Sequence, residues 1–169
     1  ARGAQAVLPI IRAAGGRIVF ISSTGGRAPV LMEGAYCASK SAIETLADVL
    51  RVELRPWHID VSVVEPGPTD TGPWRELQSM FTDMEENMSA THRQLYRQHV
   101  RGMLKLVGTL QSRTVPPDVV AKVVEQALTA RRPRARYAAG IQARAMLTMN
   151  AVLPTRVNDA VGARLLGLR

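Results

Sequence analysis

"GGRIVFISSTGG", residues 15–26, decides the fold. Residues 17–22 form an unbroken β-branched and aromatic run, the pattern of a parallel strand buried on both faces. Before it, "AQAVLPIIRAAGG" (4–16) reads as the end of a helix, with Gly15 and Gly16 as its stop. After it, residues 23–34 are rich in loop formers. Then "AYCASKSAIETLADVLRVEL" (35–54) sets Ala38, Ala42, Ile43, Leu46, Val49 and Leu50 at helical spacing and stops short of Pro56. "IDVSVVEPG" (59–67) is a second strand, closed by Pro66 and Gly67. Strand, loop, helix and strand in this order predict a βαβ unit of a doubly wound parallel sheet, hence an α/β fold. Ligands of such sheets bind beyond the carboxyl ends of the strands. Here those ends carry "SSTGG" and "EPGPTDT", both rich in hydroxyls and glycine.

Downstream, residues 73–107 are polar, methionine-bearing and helical in pattern, with a break near 87–91. "PPDVVAKVVEQALTA" (116–130) predicts a helix: Pro117 and Asp118 suit its first turn, and Val119, Val120, Val123, Val124, Ala127 and Leu128 form a stripe. "RYAAG" (136–140) reads as a short strand. The tail, 141–169, reads as helical on either side of Pro154.

The chain has 169 residues, the size of one domain, and 46% apolar residues. No apolar run approaches the roughly 20 residues of a membrane span. A single cysteine, Cys37, rules out an intramolecular disulfide, so a reducing, cytoplasmic setting is expected. The net charge of +8 sits largely in "ARRPRARY" (130–137) and in Arg156, Arg164 and Arg169. With aromatics at 4% and no zinc-finger or basic-zipper spacing, this excess reads as a solvated basic face rather than a nucleic-acid surface. His58, His92 and His99 show no metal-ligand spacing, so no metal is expected. Glu44, Asp48 and Arg51 read as a solvated helix face. Cys37 reads as a packed small residue.

Tyr36 and Lys40, four apart, share one helix face. An ammonium beside a phenol favours the phenolate, and such a phenol can exchange a proton with the oxygen of an alcohol or carbonyl. Ser23, at the end of the first strand, can hold the same oxygen. The loop 66–71 is a plausible place for a nicotinamide.

These three stretches, "GGRIVFISSTGG", "YCASK" and "VSVVEPGPTDT", in this order and at these separations, resemble the second half of a short-chain dehydrogenase/reductase. In that family a serine stands thirteen residues before the tyrosine, as Ser23 does before Tyr36. The resemblance implies Tyr36 as catalytic acid/base, Ser23 as its partner, and Lys40 as a ligand of the nicotinamide ribose. It implies that Pro66 and Gly67 flank the nicotinamide and that Thr69 and Thr71 contact its carboxamide or diphosphate. It further implies NAD or NADP as cofactor, a small alcohol or carbonyl substrate, and a homodimer or homotetramer. The tail, with "VVEPG", is similar to hydroxysteroid- and retinol-type members, and a lipophilic substrate such as a steroid, retinoid or long-chain alcohol fits the methionine-bearing cap. Residues 73–110 would be the substrate cap, within one Rossmann-like domain over 1–169 that ends in a helical tail, 141–169.

The family's opening strand and its T-G-x-x-x-G-x-G turn, which holds the diphosphate, have no counterpart before Ala1. Gly25 and Gly26 lie in the wrong loop to replace it. At about 30 residues per βαβ unit, the resemblance implies that roughly a hundred residues of the fold would be missing, so an N-terminally truncated sheet with an exposed edge is expected. The alternative is a non-catalytic fragment with a packing or partner-binding role. Met80, Met84 and Met88 recur every four residues and fit either a pocket lining or ordinary helix packing.

Overall fold

The computed structural model describes residues 2–168; Ala1 and Arg169 lie outside the described residues. The chain forms two compact units, Ala1–Gly67 with Asp118–Leu147, and Pro68–Pro117 with Thr148–Arg169.

The first unit holds a parallel sheet of three strands, β1 (Arg17–Ile21), β2 (Asp60–Pro66) and β3 (Arg136–Ala139), in the order β1-β2-β3. Arg17 pairs with Asp60 and Ile21 with Val64, then Val63 with Arg136 and Pro66 with Ala139. Strand alternation splits the apolar residues between two faces. Ile18 and Phe20 of β1 and Val61 and Val63 of β2 meet Leu8 and Ile11 of α1 (Arg2–Ala14) and Ala47 and Leu50 of α2 (Gly34–Glu53). On the other face Val19, Val64, Tyr137 and Ala139 meet Val120, Val123, Val124 and Ala127 of α5 (Pro117–Thr129). The sheet is therefore flanked by helices on both sides, the doubly wound arrangement that the strand patterns predict.

Two expectations differ from what is observed. β2 is buried along Val61–Glu65, but β1 is only half-buried. The reason is positional: among the described residues no strand pairs with the outer edge of β1. Leu128, expected in the α5 stripe, is exposed at 49%, because the buried line runs through Val120, Val123, Val124 and Ala127 and Leu128 lies one residue past it. Gly15, at φ +66°, ends α1 in a left-handed conformation that costs glycine least.

The second unit contains α3 (Gly72–Glu86), α4 (Ala90–Gln111) and α7 (Thr155–Leu165), together with the last residues of α6 (Ile141–Val152). Its buried apolar side chains, among the described residues, are Phe81, Val100, Met103, Val107 and Leu166. The break in the long polar stretch falls at 87–89, where the Ser89 hydroxyl accepts from His92 N–H and starts α4. Met80 and Met84 are exposed on α3 while Phe81 is buried, so ordinary helix packing does not account for these two methionines.

Candidate functional site

At the end of β1 the two serines diverge. Ser22 N–H still follows the sheet, donating to Val64 O at 2.9 Å, and its buried hydroxyl donates to the Lys40 carbonyl at 3.4 Å. Ser23 is extended and half-buried, and its Oγ accepts from Gly25 N–H at 3.2 Å. That bond starts one 3-10 turn, Thr24–Gly26, which carries the chain back over the start of α2.

α2 brings Tyr36 and Lys40 to the same place. A Cβ built on Gly25 would lie 3.4 Å from Tyr36 Cε1, 3.4 Å from Cys37 Sγ and 3.7 Å from Ser23 Oγ, so ring and hydroxyl both border a residue with no side chain. Lys40 Nζ lies 5.7 Å from the centroid of the Tyr36 ring and donates to Ile21 O at 3.3 Å. The ammonium is thus held against the strand end and supplies positive charge beside the phenol. Tyr36 is 45% exposed, open to a reactant, whereas Cys37 behind it is buried, with Val30 N–H 3.3 Å from its sulfur.

Sequence reading gave no role to Gly26. Its missing side chain lets the turn sit on α2: a Cβ there would lie 2.8 Å from Ser22 Oγ and 3.2 Å from the Lys40 carbonyl carbon. The Ser41 hydroxyl donates to Gly26 O at 2.8 Å and fixes the contact.

The acidic side of α2 is not the solvated face expected from its sequence. Glu44 is buried, and Arg136, placed in the solvated basic face by the sequence reading, reaches it at 3.1 Å and Asp48 at 2.6 Å. Asp48 also meets Arg51 at 2.6 Å, while Glu65, on β2, takes Arg27 at 3.2 Å and Arg136 at 3.9 Å. The physical reason is β3, which carries Arg136 to the α2 side of the sheet. The network joins the loop after β1, helix α2 and the strand end before Pro66. Burial, then the charge of Glu44, pushes the Glu65 carboxyl above the usual range, with Arg27 and Arg136 opposing. For Asp48, burial works upward, but the hydrogen bonds from Arg136 and Arg51 outweigh it and hold the carboxyl low. One signal for Glu65 was present in the sequence: it has the same strand parity as the inward Val61 and Val63.

Pro66 closes β2 opposite Ala139, and Gly67 lies against Ala143, 3.4 Å from the position its Cβ would take. Thr69 and Thr71 belong to the second unit. Thr69 bridges to Val115, and Asp70 N–H donates to Val115 O at 2.9 Å. Thr71 stands at the N-terminus of α3 without capping it; its hydroxyl donates to Thr69 O at 3.4 Å. Asp70 and Arg75 form a two-point pair at 2.6 and 3.0 Å that steadies this turn. Among the described residues no group of His, Cys, Asp or Glu is arranged to hold a metal, and no helix is long and apolar enough to cross a membrane.

Comparison with known proteins agrees with this architecture. A family profile described as short chain dehydrogenase matches residues 1–82. Human 17-beta-hydroxysteroid dehydrogenase type 6 is 34% identical over 94% of this chain and 51% of its own length. Retinol dehydrogenase 7 of Rattus norvegicus is 33% identical over 92% of this chain and 50% of its own. The chain therefore spans about half the length of these curated relatives. A short-chain dehydrogenase structure from Streptomyces avermitilis superposes with a TM-score of 0.68 at 28% identity, over 97% of this chain and 54% of that one. One from Burkholderia cenocepacia J2315, in complex with NADP, gives 0.64 at 20% identity over 96% and 54%, a likeness of fold. On sequence and fold together, the chain belongs to the short-chain dehydrogenase family.

Proposed function

We propose that the chain carries the proton-transfer site of an oxidoreductase that interconverts an alcohol and a ketone or aldehyde with NAD or NADP. One observation carries the reading: the Tyr36 ring and Ser23 Oγ both border Gly25, with Lys40 Nζ 5.7 Å from the ring centroid. When bound, the nicotinamide supplies or accepts the hydride at carbon. Tyr36 gives a proton to the substrate oxygen in reduction and takes it back in oxidation. Ser23 donates a hydrogen bond to the same oxygen, and Lys40 stabilises negative charge on the phenol oxygen. An ammonium has three donors, and the Lys40 ammonium uses one on Ile21 O, which leaves two suited to the ribose hydroxyls. Pro66 and Gly67 would flank the nicotinamide, and Thr69 and Thr71 would offer hydroxyls to its carboxamide or diphosphate.

A lipophilic substrate of steroid or retinoid type is supported by the names of the relatives and by the exposed Met80 and Met84 within 73–110, the segment read as the cap. Association into a homodimer or homotetramer is supported by apolar residues exposed on α1 and α2, among them Ile10 and Val52. The test is a titration with NADH and NADPH followed by turnover on secondary alcohols. Saturable binding and dinucleotide-dependent turnover are expected of a folded polypeptide extended upstream of Ala1, and absence of turnover in one that binds the dinucleotide would defeat the proposal.

A second reading, a non-catalytic packing or partner-binding role, is favoured by the edge of β1 with which no strand pairs among the described residues. Absence of binding by the 169-residue chain, with none gained in a longer polypeptide, supports it. Binding gained on upstream extension favours the enzyme.

A further inference from the structure

The second unit contains a cleft of about 610 Å³ between α4 and the turn that follows α7. Its charged lining is of one sign: Arg97, Arg101 and Lys105 from α4 and Arg164 from α7, with no carboxylate among the lining residues. The three α4 residues are spaced i, i+4, i+8 and so form one row along the helix. Among the described residues none of the four has a side-chain hydrogen bond or ion pair. Two other arginines of this unit are satisfied. Arg75 pairs with Asp70, and Arg93, one turn before Arg97, donates to the carbonyls of Glu85, Glu86 and Met88.

The cleft is a built feature rather than a chance hollow. Gly102 lies against the backbone of Leu166, whose carbonyl oxygen would clash with a Cβ on that glycine. Gln98 donates to Gly167 O and pins the same turn. Leu166 is buried, while Leu95 and Leu165 line the cleft and remain exposed. The walls thus combine four cations with exposed leucine surface in a volume typical of small-molecule sites.

We propose that this cleft binds a soluble phosphomonoester with an apolar tail. A carboxylate would neutralise one of four like charges, whereas a phosphomonoester carries close to two negative charges and three acceptor oxygens. Three of the four cations are arginines, whose planar forks suit phosphate oxygens. The tail lies on Leu95 and Leu165. The proposal uses none of Ser23, Tyr36 and Lys40, so it stands or falls separately from the oxidoreductase reading.

Calorimetric titration of the full chain at low ionic strength tests it, with dodecyl phosphate below its micelle concentration as probe. Inorganic phosphate, dodecyl maltoside and phosphatidic acid vesicles are run beside it. The expected result is saturable one-to-one binding of dodecyl phosphate, tighter than inorganic phosphate or the maltoside. Arg97→Gln with Arg101→Gln should weaken it roughly tenfold or more, since charged hydrogen bonds are lost. Arg131→Gln with Arg132→Gln, exposed residues outside the cleft, should leave it unchanged. A melting curve shows whether each variant is folded. Should the cleft pair fail to fold, Arg164→Gln gives the same reading from the other wall. Equal binding of the maltoside, equal loss in the 131/132 variant, or binding to vesicles alone would each overturn the proposal.

Discussion

Glu65 is a carboxylate at the end of a buried strand, one residue before the Pro66–Gly67 loop, and it takes Arg27 and Arg136 as partners. Its folded form holds a proton more readily than the unfolded chain does, because burial and Glu44 raise its pKa above 4.5. Across the window upward from 4.5 the folded state binds more protons, so this residue's contribution weakens as pH rises through that window. Melting temperatures measured from pH 4.5 to neutrality should therefore fall in the native chain relative to Glu65→Gln; a constant difference would contradict the assignment. Asp48 has the opposite sign, since its lowered pKa gives stability above 3.8 that is lost as pH drops below it. Arg136→Gln leaves Glu44 buried without its ion partner and should cost about 3 kcal/mol in urea unfolding. Asp48→Asn, at a half-exposed carboxylate, should cost under about 1 kcal/mol. Equal costs would show that burial of Glu44 is not the deciding factor. That Ser23, Tyr36 and Lys40 lie near one another was legible because they sit along a strand end and one helix face, while the roles proposed for them come from the family resemblance. Arg136 was not, since its partners Glu44 and Asp48 are 92 and 88 positions away and only the sheet brings them together.

At the scale of elements, the turn after β1 and the first turns of α2 are held at close range by a residue without a side chain. Gly26→Ala should push the turn off α2, against Ser22 and the Lys40 backbone, and cost about 1–3 kcal/mol. Gly34→Ala, at the start of the same helix with nothing within 4 Å of its Cβ position, should be neutral or slightly stabilising. Chemical denaturation of the two variants separates local crowding from a general intolerance of alanine in this region. The strands and helices were legible from apolar periodicity and from Gly and Pro punctuation, including the break at 87–89 and Pro117 opening α5. The burial of β1 was not. A continuous apolar run looks the same whether one or two strands flank it, and only β2 pairs with β1 among the described residues.

For the molecule as a whole, the chain spans about half of each curated relative named above. Ile10 on α1 and Val52 on α2 are exposed apolar residues, the surface on which the proposed association would rest. Sedimentation should give an oligomer for the native chain and a folded monomer for Ile10→Asp with Val52→Asp; unchanged sedimentation would place any interface elsewhere. The central claim concerns Tyr36. In a polypeptide that binds NADH or NADPH, dinucleotide-dependent turnover of a lipophilic secondary alcohol should fall about a hundredfold or more in Tyr36→Phe, with dinucleotide affinity little changed. Turnover equal to that of the native protein would contradict it.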